Sequence, residues 1–326
     1  MTEIGYARSS EEHPGSALVA NARAAEEGGF SFIGISDHYH PWLTSQGHSP
    51  FVWSVLGGIA ATTTRVRVGV GVSCPLMRIH PAVVAQATAT TAEMLGDRFF
   101  WGVGTGENLN EHITGDRWPP IEVRLAMLEE AVEVIRRLWT GESVDHWGTH
   151  YTVENARIHT RPAQPPPIIV SGFGERSIEL AGRIGDGFWS NKPSPEPIEA
   201  YEKAGGTGPR YGQLTICWAA DEASARRTAH ERWANAGVPG LLSQDLPTTL
   251  HFEQAAQAVT EDKVAESVPC GPDPGPVVDK LRTYADAGYT NVYLHQIGPD
   301  QQGFFGFWER ELRPALTAVP GLIAAQ

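Results

Sequence analysis

Short apolar runs of β type alternate with helical segments along almost the whole chain. Ile4-Gly5-Tyr6-Ala7 reads as a first strand, followed by a helix from Pro14 to Glu27 that Gly28-Gly29 stops. Phe30 to Ile35 is the second strand, and helix follows from about Pro50 to Thr63. Arg65 to Val72 and Arg98 to Val103 are the third and fourth strands, on either side of a helix from Pro81 to Leu95. A long amphipathic helix is expected over Pro120 to Trp139, and a β-hairpin insertion over 144–158. Pro167 to Val170, Gly187 to Trp189, Leu214 to Trp218 and Asn291 to His295 complete the strands. Helices are expected at Ser177–Ile184, Glu222–Asn235, Thr248–Val259 and Pro274–Ala287.

Eight strands alternating with helices predict a (β/α)8 TIM barrel, one domain spanning 1–326. A doubly wound open sheet is the alternative. Its GxGxxG fingerprint after strand one is absent, since Ala7 runs into Arg8-Ser9-Ser10-Glu11. Residues 190–212 are rich in Pro and Gly and are expected to be a mobile connection. The net charge of -13 disfavours nucleic acid and anionic membrane as partners, because both call for basic patches. Cys74, Cys217 and Cys270 are far apart and form no CxxC, which suits a reducing cytoplasm and offers no zinc site. No apolar run reaches the ~20 residues of a membrane span, and no secretory leader is recognisable. A small-molecule substrate is the expected partner.

In such folds ligands bind at the C-terminal ends of the strands. Strand two ends in Ser36-Asp37-His38-Tyr39-His40-Pro41-Trp42, which brings a carboxylate, an imidazole and an indole to one point. Catalysis by an imidazole needs an orienting partner, and Asp37 is adjacent. His38 and His40 lack further ligands at metal spacing, so no metal is expected. Strand three carries Gly69 and Gly71 among valines, which marks barrel curvature or a close backbone approach to something flat. Strand four ends in Gly102-Val103-Gly104-Thr105-Gly106-Glu107-Asn108-Leu109-Asn110-Glu111. Its glycines expose amides and its polar residues follow at once, but without Lys-Ser/Thr it is no P-loop. Strand five leads through Ser171-Gly172-Phe173-Gly174-Glu175-Arg176-Ser177 into a helix start, a ready anion site. Glu11, after strand one, reaches the same mouth.

Together these motifs, with Gly47-His48-Ser49-Pro50-Phe51, His80-Pro81-Ala82-Val83 and Ala181 to Phe188, resemble the luciferase-like flavin and deazaflavin oxidoreductases. Within that class the chain is similar to the branch of F420-dependent glucose-6-phosphate dehydrogenases, from Gly5 to about Leu316. The resemblance implies a homodimeric barrel with coenzyme F420 in its mouth. His38, Trp42 and Glu107 match reaction-centre positions, and Glu11 matches a glutamate near the substrate. Asp37, Thr105, Gly106 and Asn110 match cofactor contacts. Gly71-Val72 falls where the family carries a non-proline cis peptide behind the ring. Ser171, Gly172 and Gly174 match the loop around the cofactor phosphate.

That branch clamps a sugar phosphate with two lysines and an arginine. Lys192 matches the first position, while Leu241 and Ser267 stand at the other two. At roughly 1.5–3 kcal/mol per charged hydrogen bond, losing two cations should weaken a dianion site by several kcal/mol. The expected activity is therefore hydride transfer between C5 of F420 and the carbinol or carbonyl carbon of a sugar, sugar-like compound or secondary alcohol. An FMN-dependent monooxygenase of the same fold and a non-catalytic F420-binding protein are the alternatives. The base is His38 or Glu107. An imidazole titrates near neutral pH unaided, whereas a carboxylate must be pushed up by burial.

Overall fold

Strand β1 (Thr2–Arg8) lies between two parallel partners, and that double pairing closes the sheet. The computed structural model describes residues 1–238 and 240–323. β1 is followed by β2 (Phe32–Ile35), β3 (Arg67–Ser73) and β4 (Phe99–Val103). A separate antiparallel hairpin, β5 (Val144–Trp147) and β6 (Thr152–Ala156), comes next. β7 (Ile168–Ser171), β8 (Gly187–Trp189), β9 (Arg210–Ile216) and β10 (Asn291–Gln296) complete the ring. The order is β10-β9-β8-β7-β4-β3-β2-β1, and β10 pairs back onto β1 with Tyr6 opposite Leu294. The fold is the closed (β/α)8 barrel expected, with a short β11 (Leu322–Ile323) added beside the start of β1.

The barrel axis is filled by aromatic rings and the glycines that admit them. Phe32 and Tyr293 meet at 4.8 Å, and Phe100 and Tyr211 stack at 4.9 Å. A Cβ on Gly69 would lie 2.1 Å from the Phe100 ring, and one on Gly34 would lie 2.5 Å from Tyr293. Large and small residues thus alternate across the axis, and the rings form a floor beneath the mouth.

The long connection from β9 to β10 builds the outer wall of that mouth. Its helices include Glu222–Trp233, Thr249–Ala256, Glu261–Ser267 and Gly275–Asp286. Asp221, Thr248 and Thr260 cap the first three, each side chain accepting the amide three residues on. They enclose a second core of Leu109, Trp233, Phe252, Val264 and Val268, with Trp42 packed against it. At the other end of the barrel Trp308 stacks on Phe30 at 4.0 Å and donates to Gly28 O.

The expected helices are present within a few residues of their predicted ends. The seventh strand begins at Arg210 rather than Leu214, because Arg210 and Gln213 interrupt its apolar pattern. The segment 190–212 holds the helix Glu196–Lys203, which buries Pro197, Ile198 and Tyr201, and then enters β9. Among the described residues no helix is long and apolar enough to cross a membrane.

Candidate active site

A cavity of about 1310 Å³ opens over the C-terminal ends of the strands. Of the residues singled out in the sequence, Glu11, His38, Trp42, Gly71, Val72, Thr105, Gly106, Glu107, Ser171, Gly174, Leu241 and Ser267 line it. Asp37, Asn110, Gly172 and Lys192 do not, and each has another engagement.

The buried carboxylate of Glu11 is the hub of the polar side. Its Oε2 accepts from Ser9 Oγ at 2.8 Å and Ser36 Oγ at 2.7 Å, and its Oε1 lies 3.3 Å from His38 Nδ1. Burial pushes the Glu11 carboxyl up, but His38 and the two hydroxyls outweigh it, so the group sits below its ordinary value. His38 Nδ1 also lies 3.2 Å from His40 O. With two acceptors at Nδ1, that nitrogen carries the proton in the neutral ring, and Nε2 is left as the acceptor for a ligand. The His38 ring meets Trp42 edge to face at 4.8 Å.

Asp37 turns away from the cavity onto Arg78 Nη2 at 2.9 Å. The same guanidinium lies 3.4 Å from Glu111 Oε1, and the Arg78 amide donates to Glu111 Oε2. Burial pushes Glu111 up to about 7 against the pull of Arg78. Asn110 Oδ1 accepts the amides of Tyr39 and His40 at 2.9 and 3.1 Å, and its Nδ2 donates to Glu107 Oε2 at 3.4 Å. Asp37 and Asn110 therefore brace the loops that present His38 and Glu107. Arg78 was missed in the sequence because nothing local distinguishes it: its partners are 41 and 33 positions away.

Another part of the lining is bare backbone. The Gly71–Val72 peptide is cis, and a Cβ on Gly71 would meet no atom within 4 Å. Protein packing does not demand that glycine, and its absent side chain leaves a flat face on the cavity. Farther along, Phe173 to Ser177 line the rim where the helix Glu175–Ile184 begins, a place suited to an anionic group. Ser177 Oγ fixes the turn by accepting the amides of Phe173 and Gly174. Gly172 is occupied in packing, since a Cβ there would lie 2.9 Å from Ile178 N. These residues fit a flat ring system with an anionic tail. Among the described residues no group of three or more His, Cys, Asp or Glu side chains could hold a metal ion.

Residues 1–291 match the family model described as Luciferase-like monooxygenase. The chain belongs to this family. It is 36% identical over 330 residues to the F420-dependent glucose-6-phosphate dehydrogenase of Nakamurella multipartita, covering 98% of this chain and 97% of that protein. Among solved structures it resembles an F420-dependent secondary alcohol dehydrogenase in complex with an F420-acetone adduct. That likeness has a TM-score of 0.88 at 28% identity and covers 96% of this chain and 98% of the other. The coenzyme F420 dependent tetrahydromethanopterin reductase from Methanopyrus kandleri shares the fold, with a TM-score of 0.76 at 22% identity, covering 96% of this chain and 99% of the other.

The three expected positions of a phosphate clamp hold no free cation. Lys192 is 62% exposed outside the cavity, with Nζ 3.7 Å from Glu196 Oε2. Leu241 and Ser267 line the wall, and Ser267 Oγ donates to Val264 O.

Proposed function

We propose that this protein is an F420-dependent dehydrogenase or reductase acting on a carbinol/carbonyl pair. The observation that carries the reading is that the Glu11–His38 pair and the bare Gly71–Val72 backbone line one cavity. When bound, F420 supplies C5 of the deazaflavin as hydride acceptor and, in its reduced form, as hydride donor. His38 Nε2 takes the hydroxyl proton in the oxidising direction and returns it in the reducing one. Glu11 orients the ring through Nδ1–H and stabilises the imidazolium that forms, helped by Ser9 and Ser36, which fix its own carboxylate. Trp42 covers one edge of the imidazole and keeps water from it. Glu107, steadied by Asn110, is the second proton-carrying group of the mouth. The first-turn amides of the helix Glu175–Ile184 hold the cofactor phosphate.

The same reading takes the protein to be a homodimer of the cytoplasm acting on a small molecule. Light scattering that returns a monomer mass would remove the dimer. The central test is equilibrium titration by fluorescence quenching, which is expected to give F420 binding at low micromolar concentration or tighter. Micromolar binding of FMN with none of F420 would replace this reading with the flavin monooxygenase alternative.

A further inference from the structure

The side of the cavity that begins at His38 becomes apolar as it runs outward. Trp42, in contact with the His38 ring, sits edge-on to Phe252 at 5.0 Å. The lining continues over Val238, Val268 and Leu241. Phe252 and Val268 belong to the second core, so this wall is backed by packed side chains. Leu241, at its rim, is 73% exposed.

Most polar side chains beside these residues are engaged with the protein itself, the exceptions being Asn235 and His295, whose buried Oδ1 and Nε2 have no hydrogen-bond partner. Lys263 Nζ is closed on Glu266 at 2.6 Å. Gln244 Oε1 accepts from Arg124 Nη2, and the Ser243 and Ser267 hydroxyls donate to main-chain carbonyls. The other lysine of the lining, Lys280, lies on the helix Gly275–Asp286, whose Tyr284 bonds Asn191 O after β8. It belongs to that helix and not to this wall. A surface of this kind gains from covering apolar groups and has little to offer a phosphate, and its two unpartnered polar atoms could meet one or two hydroxyls but not a row of them.

We propose that the substrate is a secondary alcohol, or the matching ketone, with an extended apolar substituent. That substituent, aryl or branched alkyl, lies on Trp42, Phe252, Val238, Val268 and Leu241 while the carbinol oxygen meets His38 Nε2. The assignment rests on the reading of the chain as an F420-dependent dehydrogenase or reductase. In the oxidising direction the carbinol C–H bond breaks with its electron pair passing to oxidised F420. The O–H proton passes to His38, and the C=O double bond forms. The alcohol is oxidised to the ketone; reduction of bound F420 to F420H2 would take the hydride and one proton delivered from solvent by way of Glu107, while the proton on His38 returns to solvent, so that the protons balance.

The test begins with binding to the full chain. 4-Phenylbutan-2-one and acetone are titrated by calorimetry and by quenching of tryptophan fluorescence, and F420 is titrated separately. The aryl ketone is expected to bind about 100-fold more tightly than acetone, with a negative heat-capacity change. Leu241→Lys, at an exposed rim position, should weaken it about fivefold. In turnover, 4-phenylbutan-2-ol should exceed glucose 6-phosphate in kcat/KM by about 100-fold or more. Aryl ketone binding no tighter than acetone overturns the proposal, as does a preference for glucose 6-phosphate, while F420 binding leaves the reading beneath it intact. Failure of F420 to bind removes that underlying reading, and the ketone titration still decides the apolar wall.

Discussion

Two acceptors converge on one nitrogen of His38, and this fixes what the other nitrogen can do. Glu11 Oε1 and His40 O stand 3.3 and 3.2 Å from Nδ1, so Nε2 is the basic site of the neutral ring. A base must be deprotonated to act, so the acid limb of the pH-rate profile in the oxidising direction tests whether His38 is that base. His38→Asn keeps a hydrogen-bonding side chain but cannot take the proton. It should lower kcat about a hundred- to ten-thousandfold and abolish the acid limb of the pH-rate profile, with F420 still bound. Glu107→Gln should also lower kcat but keep that limb. Retention of near-full turnover and of the limb in His38→Asn would pass the role of base to Glu107. Glu11→Gln preserves shape and removes charge, and about a tenfold or greater fall in kcat is expected.

β3 carries two glycines with different physical reasons for being glycine. A Cβ on Gly69 would strike the Phe100 ring in the barrel floor, whereas one on Gly71 would project into open space at the cavity. Gly69→Ala should therefore destabilise the fold by about 1–3 kcal/mol. Gly71→Ala should leave urea stability within about 1 kcal/mol and instead weaken F420 binding. Equal losses of stability in the two variants would refute this division. The contrast also marks how far the sequence was legible. Each barrel strand is a local run bounded by turn residues, so its existence shows directly in the sequence; so do His38 and Glu107, placed at strand ends by their position in the chain. The floor was not legible, because Phe32, Phe100, Tyr211 and Tyr293 come from four separate strands and only closure brings them together. Phe252 against Trp42 and Arg78 between Asp37 and Glu111 escaped for the same reason. The helix Glu196–Lys203 escaped for a different one: Pro195 and Pro197 at its start read as loop, although proline suits a helix's first turn.

Closing the barrel buries titratable groups of both kinds, and their effects on stability oppose each other. Burial pushes Glu111 up from 4.5 to about 7, and Glu12 likewise. Between those values the native state holds protons that the unfolded chain has released. Their contribution to stability is therefore fully present below about 4.5 and is lost as pH rises through about 7. Burial lowers His13 and His295 from 6.5 to about 4, so both stay neutral in the fold. Their contribution is present above 6.5 and is lost as pH falls toward about 4. Across the shared window the carboxyls favour acid and the imidazoles favour base, and the wild-type protein should show a shallow pH dependence. Glu111→Gln removes one carboxyl from this balance and leaves both imidazoles. Arg78 keeps Asp37 as its better-placed partner, at 2.9 Å against 3.4 Å, so the guanidinium remains paired. Whatever the substitution costs in packing applies at both ends of the window and drops out of the difference. The gain in unfolding free energy from about pH 5 to about pH 7 should be larger in the variant than in the wild type, by about 1–3 kcal/mol. Urea unfolding at the two pH values measures it directly, and an identical pH difference in the two proteins would mean that Glu111 is ionised throughout, held by Arg78 against its burial.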